Sequence, residues 1–123
     1  MPLCKEPVYI HEPTPLQCGQ AVLAMLSGKP VEEIIEIVGT ERETDLKMMY
    51  SALDELGITY EKNRVQITRC EELPDICFLS LETPRCWHWS MYWNGKFYDP
   101  EHGVLDDFPE SGRKYYWKII SET

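Results

Sequence analysis

Residues 87–100 read WHWSMYWNGKFYDP, two aromatic-rich runs separated by an Asn-Gly pair. Aromatic side chains are enriched in β-strands. An Asn-Gly pair between two such runs is typical of a two-residue hairpin turn, because both turn positions require a positive φ. We therefore predict antiparallel strands over residues 87–93 and 96–99, joined by a turn at Asn94 and Gly95.

The register of this hairpin predicts a contact between a histidine and an aspartate. Counting outward from the turn places Met91 opposite Tyr98 and Ser90 opposite Asp99. His88 then lies on the same face as Asp99, displaced diagonally by two residues, with the backbones roughly 7 Å apart. A carboxylate at this offset can reach an imidazole ring and hold it in one tautomer, as the aspartate of a catalytic triad does.

Alternation along the first strand separates its tryptophans from its histidine. Trp87, Trp89 and Trp93 share one face, and we expect that face to pack in the core rather than to form an aromatic binding cage. His88 lies on the opposite face. His102, which follows the Asp-Pro turn, is expected to be exposed.

Upstream of the hairpin, residues 13–26 read PTPLQCGQAVLAML and predict a buried helix that begins at residue 18 or 19. The second half of this run is apolar on every side, which is typical of a helix enclosed by the core. Gly28 and then Pro30 form a stop signal, so we expect the helix to end near Ser27.

Two more helices and several short strands complete the predicted order. Residues 31–38 and 46–56 repeat apolar side chains at helical spacing, the second after a cap at Thr44 or Asp45. Further strands are predicted over residues 59–62, 76–81 and 115–120. Helices followed by antiparallel strands indicate the α+β class. We expect a single domain over residues 1–123, with N-terminal helices packed on a C-terminal antiparallel β-sheet.

Cys18 occupies a position suited to a nucleophile. Free thiols have a pKa near 8.5 and are mostly protonated at neutral pH. The first-turn amides of a helix and a nearby imidazolium both stabilise the thiolate. Cys18, His88 and Asp99 are therefore candidates for nucleophile, general base and acid, and orienting carboxylate, and Gly19 would leave room for an incoming carbonyl. The structural alternative is that Cys18 is simply a small core residue at a helix start.

Composition and charge narrow the possible partners. The chain has 123 residues and a formal charge of −9, with 12 basic residues scattered among 21 acidic ones. Nucleic-acid binding needs clustered basic side chains, so we expect no nucleic-acid partner. No apolar run reaches the roughly 20 residues that a membrane span needs, and the first residues lack a secretory pattern. We therefore expect a cytoplasmic protein that has no contact with a membrane.

The cysteines do not form a recognisable disulfide or metal pattern. Their number is odd, which excludes a fully paired disulfide framework and favours free thiols. A zinc site built from Cys70, Cys77, Cys86 and His88 would have spacings unlike those of common structural sites. The sequence therefore leads us to expect no metal and no cofactor.

Three segments together resemble the C39-like peptidases of the papain-like cysteine protease superfamily. They are Glu12–Ala21, Leu53–Ile58, and His88 with Tyr98–Gly103. The resemblance spans about residues 8–120 and implies a papain-like fold in which a helix-borne cysteine packs against a sheet that carries the histidine and aspartate. It also implies thiol-dependent cleavage of amide bonds in a peptide or protein substrate.

One position departs from the family pattern. The family usually has a glutamine six residues before the cysteine, where its amide donates a hydrogen bond to the oxyanion, and that position here is Glu12. Losing one such donor costs about 100- to 1,000-fold in rate. Gln17 is the one upstream glutamine and would need a different loop path to substitute. The oxyanion region would then consist of the Cys18 amide with Glu12 or Gln17.

This departure keeps two alternatives open. A catalytically impaired pseudo-peptidase would use the same fold to bind a peptide or protein. A thiol acyltransferase would resolve the thioester with an amine instead of water. The sequence does not distinguish these from hydrolysis, and the oligomeric state is equally open.

Overall fold

The computed structural model describes residues 7–120, in which three helices precede seven β-strands. The helices are α1 (Cys18–Ser27), α2 (Val31–Val38) and α3 (Leu46–Leu56). The strands are β1 (Thr59–Tyr60), β2 (Val65–Ile67), β3 (Ile76–Glu82), β4 (Trp87–Trp93), β5 (Lys96–Asp99), β6 (Gly103–Leu105) and β7 (Lys114–Ile120). The predicted α+β class and the predicted order of elements are confirmed.

The helices begin and end where the sequence predicts. In α1 every residue from Gly19 to Leu26 is buried, and the helix ends at Gly28 with a left-handed φ of 78°. The side chain of Asp45 caps α3 by accepting a hydrogen bond of 2.8 Å from the backbone N–H of Met48. Each cap satisfies backbone groups that a helix end leaves without partners.

The strands form an antiparallel sheet in the order β1-β7-β3-β4-β5-β6, with β2 also paired to β7. Asn94 and Gly95 have φ values of 41° and 95°, as the predicted two-residue turn requires. The predicted register is confirmed, because Met91 pairs with Tyr98 and Trp93 pairs with Lys96. Strands β2 and β6, of three residues each, were not predicted, and β1 is shorter than the predicted run over residues 59–62.

The main core lies between the helices and one face of the sheet. The Phe78 ring stacks on Trp117 with centroids 5.1 Å apart, and Trp89 packs against both. Trp93 is partly buried against the same core. The prediction that Trp87 joins this core is wrong. Trp87 is the first residue of β4 and is 44% exposed, and it packs against Arg113 and Tyr115 instead.

The other face of the sheet is also covered. Cys77, Leu79, Leu81 and Phe97 form a second buried cluster, and partly buried side chains such as Phe108 pack against it. Apolar side chains therefore cover both faces of the central strands, and this packing holds β4 and β5 in place within the sheet. Within residues 7–120, none of the helices has the length and apolarity needed to cross a membrane.

Candidate functional site

Cys18 is the first residue of α1 and lies against the middle of the sheet. Helix α1 packs on β4, so the start of the helix comes close to the strand that carries His88. The backbone N–H of Trp89 points at the Cys18 sulfur, with 3.4 Å between N and Sγ. The thiol itself is half-buried. A helix N-terminus and a donated N–H both favour a sulfur that carries negative charge.

His88 and Asp99 form the contact that the hairpin predicts. The Nε2 atom of His88 lies 3.0 Å from Oδ1 and 3.1 Å from Oδ2 of Asp99. Both side chains are buried, with 7% and 0% of their surfaces exposed. Because Nε2 is engaged by the carboxylate, Nδ1 is the ring nitrogen that remains available to the thiol.

The Asp99 carboxylate is itself held by the turn that follows it. Its Oδ1 accepts hydrogen bonds from the backbone N–H groups of Glu101 and His102, each 3.0 Å long. The Nδ1 atom of His102 lies 3.0 Å from the same oxygen. His102 is 48% exposed at its side chain, as predicted, but its contact with Asp99 was not predicted. The sequence signal for it was the aspartate opening the turn, since such side chains commonly accept from the next backbone amides.

Glu12 lies beside the cysteine and the histidine. The N-terminal loop is tied to the turn after β5, because the Glu12 N–H donates to the Pro100 carbonyl at 2.9 Å. A carboxylate oxygen of Glu12, the Cys18 sulfur and a ring nitrogen of His88 all lie within 4.8 Å of one another. Glu12 is 6% exposed, and its Oε1 has no hydrogen-bond partner among the described residues.

Gln17 is directed elsewhere. It is the residue immediately before α1, and its side-chain nitrogen donates to the Glu41 carbonyl at 3.1 Å. Gln20 makes similar bonds from the next turn, to the carbonyls of Thr40 and Arg42. Both glutamines therefore fasten the loop between α2 and α3 onto α1. Of the two predicted oxyanion candidates, Glu12 lies close to the thiol and the imidazole, whereas the amide nitrogen of Gln17 is engaged by the Glu41 carbonyl.

Gly19 allows close packing around the start of α1. A Cβ added at Gly19 would lie 1.9 Å from Oγ1 of Thr44 and 3.1 Å from Cδ1 of Trp89. The backbone carbonyl of Thr44 also accepts a hydrogen bond of 2.9 Å from Nε1 of Trp89. Glycine is therefore needed here so that α1, the start of α3 and β4 can approach closely. This close approach holds Cys18 against the strand of His88.

Burial and pairing shift the pKa values of the site. Burial, the largest influence on His88, disfavours the imidazolium, but interactions with Asp99 and Cys18 outweigh it and raise the pKa of His88 to about 10. Burial also opposes ionisation of Asp99, yet the hydrogen bond and charge of His88 lower the pKa of Asp99 to about 2. Burial raises the pKa of Glu12, against the opposing attraction of His88. The protonated histidine is thus the favoured form, and Glu12 takes up a proton more readily than a free glutamate.

A cleft of about 390 Å³ opens at this site. Glu12 and His88 line it, and it also carries the acidic side chains of Glu43, Glu101 and Glu110. Arg85 lies in the same lining and is paired with Glu101, with 3.3 Å between the charged atoms. The cleft is therefore predominantly acidic.

The other described cysteines do not belong to the group formed by Glu12, Cys18 and His88. Within residues 7–120, the four cysteines Cys18, Cys70, Cys77 and Cys86 are free thiols, and Cys4 lies outside the described residues. The metal-compatible groups found in that range contain His88 but not Cys70, Cys77 or Cys86. Cys77 is fully buried in the second apolar cluster, and Cys86 is exposed at the cleft.

The comparisons with known proteins do not identify a family. No protein-family model matches the chain, and no curated protein is significantly similar to it in sequence.

Proposed function

We propose that the protein is a small cysteine hydrolase that cleaves amide bonds of a peptide or protein, with the papain-like organisation of the C39-like peptidases. The observation that carries this proposal is the set of contacts around His88. Its Nε2 is held at 3.0 Å by Asp99, and its ring lies within 4.8 Å of the Cys18 sulfur. A thiol, an imidazole and an orienting carboxylate in this relation are the parts of a cysteine protease site.

The proposed reaction proceeds through a thioester. The Cys18 thiolate attacks the substrate carbonyl carbon, and the C–N bond breaks as the His88 imidazolium gives its proton to the leaving amine. Water then attacks the thioester while His88 accepts a proton from it. The C–S bond then breaks, and the acid product leaves. Cys18 is again a thiolate, and His88 keeps the proton from water as an imidazolium. Asp99 keeps the ring oriented through Nε2 in both steps.

Glu12 determines how well the negative oxygen of the intermediate is stabilised. The backbone N–H of Cys18 is one proposed donor to that oxygen. An ionised Glu12 repels it, whereas a protonated Glu12 can donate a hydrogen bond to it. Burial favours the protonated form of this carboxyl. We therefore propose that the enzyme works better as Glu12 becomes protonated.

The test is turnover of a peptide library enriched in lysine and arginine, chosen because the cleft is acidic. Cys18→Ala should abolish cleavage without loss of the folded circular-dichroism spectrum. Cys86→Ala is the matched control, since Cys86 is also a free thiol at the cleft, and it should retain cleavage. Equal activity in wild type and Cys18→Ala would refute the proposal.

The buried carboxylate of Glu12 supports a second candidate, a binding module without turnover. Such a protein would keep its affinity for a peptide when Cys18 is replaced by alanine and would never accumulate a thioester. A thiol acyltransferase would instead form the thioester and pass it to an added amine faster than to water. Trapping the acylated Cys18 by mass spectrometry, with and without an amine, separates these possibilities.

A further inference from the structure

Three potential metal ligands of different chemical types meet at the start of α1. They are a carboxylate oxygen of Glu12, the sulfur of Cys18 and a ring nitrogen of His88, all within 4.8 Å of one another. Thiolate, imidazole and carboxylate are the three side-chain ligands that Zn²⁺ accepts, at about 2.0–2.3 Å. Two ligand atoms bound to the same tetrahedral ion at these distances lie closer together than 4.8 Å. Small side-chain rotations would therefore be enough to bring the three atoms of this site to bonding distance from one ion.

The second observation is the condition of Glu12. Glu12 is 6% exposed, and its Oε1 has no hydrogen-bond partner among the described residues. A buried acceptor without a partner is costly, and a bound cation would satisfy it. A glutamine at this position would be a far weaker metal ligand because its oxygen carries no charge.

The surroundings of His88 are also those of a metal ligand. Metal-binding histidines commonly donate their second ring N–H to a carboxylate, which fixes the ring and makes it a better ligand. Asp99 occupies that place, since it contacts Nε2 of His88 and is anchored by backbone N–H groups. That leaves Nδ1 as the ring nitrogen available to a metal held by Cys18 and Glu12.

The neighbouring group of His88, Asp99 and His102 is less suited to a metal. Its central atom, Oδ1 of Asp99, already contacts Nε2 of His88 and Nδ1 of His102, and it accepts from two backbone N–H groups. The second oxygen, Oδ2, also contacts Nε2 of His88 at 3.1 Å, so both oxygens of Asp99 already have hydrogen-bond partners. The group is therefore a hydrogen-bond network.

We propose that Glu12, Cys18 and His88 bind one divalent transition-metal ion of the Zn²⁺ class, leaving its fourth position open to water in the cleft. Two anionic ligands and one neutral imidazole balance the charge of the ion, which suits a mostly buried site. Binding releases to solvent the proton that thiol and imidazole share. The metal occupies the lone pairs of the Cys18 sulfur and the His88 nitrogen, which the proposed hydrolysis needs. The metal-bound protein is therefore inactive in that reaction. This inference goes beyond the proposed function and holds whether or not the protein is a hydrolase.

The experiment titrates purified, chelator-treated full chain with Co²⁺ as a spectroscopic probe and with Zn²⁺ in competition. We expect one ion per chain, with a near-ultraviolet absorption from thiolate bound to cobalt. Cys18→Ser should abolish this absorption, and Cys86→Ser should retain it as the matched cysteine control. His102→Ala should also retain it, since His102 belongs to the excluded group.

The role of Glu12 is tested by Glu12→Gln, which has nearly the same shape. We expect it to weaken Zn²⁺ binding by about 100-fold or more, since losing a direct ligand exceeds the 10- to 100-fold cost of an outer-shell change. Unchanged affinity in Glu12→Gln would overturn the proposal, as would a thiolate signal that depends on Cys86. Absence of stoichiometric binding by folded wild type would overturn it as well. None of these readouts depends on peptide cleavage, so failure of the hydrolase proposal remains distinguishable.

Discussion

His88 and Asp99 face each other across β4 and β5, with Nε2 of the histidine 3.0 Å from Oδ1 of the aspartate. The two side chains come from strands joined by a two-residue turn, so the distance between them is set by the hairpin register. Both are buried, and the charged forms of both are favoured by the contact. The pair is therefore a rigid support that turns one nitrogen of His88 away from Asp99 and toward Cys18.

The first prediction concerns the pH dependence of stability. The pKa of His88 is raised from 6.5 to about 10, so its stabilising contribution is complete below pH 6.5 and is lost as the pH rises toward 10. The pKa of Asp99 is lowered from 3.8 to about 2, so its contribution is complete above pH 3.8 and is lost as the pH falls toward 2. The pair should therefore stabilise the fold most between pH 3.8 and pH 6.5, where both contributions are complete.

Urea unfolding of chelator-treated wild type and His88→Ala at several pH values tests this. We expect His88→Ala to lower the free energy of unfolding by about 3–5 kcal/mol near the middle of that window, as for other broken buried pairs. The difference should narrow as the pH approaches 10. His11→Ala, which removes an exposed histidine, should stay within about 0.5 kcal/mol of wild type. If the difference in unfolding free energy between wild type and His88→Ala does not change with pH, His88 and Asp99 do not form a charged pair.

The second prediction concerns Glu12→Gln. An amide in place of the carboxylate removes negative charge near the developing oxyanion and supplies a donor, so kcat at neutral pH should rise, by up to about 100-fold. The ratio of variant to wild-type rate should fall in acid, because the raised pKa of Glu12 means that wild type becomes protonated there.

The control for Glu12→Gln is Glu43→Gln, which makes the same change of charge elsewhere in the cleft lining. It should leave kcat within a factor of about two, since an exposed charge is screened by water. A fall in kcat for Glu12→Gln would mean that the carboxylate has a role of its own in the reaction.

The third prediction concerns Gly19→Ala. Helix propensity alone would make alanine more stable by about 1 kcal/mol. The new Cβ, however, would meet Oγ1 of Thr44 at 1.9 Å, and overpacking of this kind costs about 1–3 kcal/mol. We expect the clash to prevail and Gly19→Ala to be destabilising in thermal unfolding.

A double-mutant cycle with Thr44→Ala isolates this clash. Removing Oγ1 should make Gly19→Ala less costly than it is in wild type, with a coupling of about 1 kcal/mol or more. If the two changes are additive, the close approach of α1 and the loop before α3 does not depend on Gly19, and the packing argument fails.

Local signals predicted most of the fold. The bounds of α1, α2 and α3 followed from caps, glycines and apolar spacing, and the hairpin followed from Asn94 and Gly95. Strands β2 and β6 were missed because each has only three residues, which is shorter than the runs of four to eight from which a strand is recognised. Trp87 was misplaced because alternation gives the face of a side chain but not where along the strand the core ends.

Local geometry predicted part of the candidate site, and the family resemblance alone pointed to Glu12. The contact of His88 with Asp99 follows from a short hairpin, and the helix start at Cys18 follows from the apolar run after it. The position of Glu12 depends on a hydrogen bond to Pro100, a residue 88 positions away in the sequence, that no local pattern encodes. The packing of Gly19 against Thr44 is likewise a tertiary contact, which the local sequence does not encode.

The most direct test of the central claim is the pH dependence of iodoacetamide alkylation at Cys18 in chelator-treated protein, located by peptide mass spectrometry. Exposed Cys86 and buried Cys77 serve as internal references in the same digest. The proximity of His88 predicts fast labelling of Cys18 well below pH 8, which is lost in His88→Ala while Cys86 is unchanged. Labelling of Cys18 that rises only near the free-thiol pKa, alike in both proteins, would contradict a thiolate–imidazolium pair and with it the proposed hydrolase.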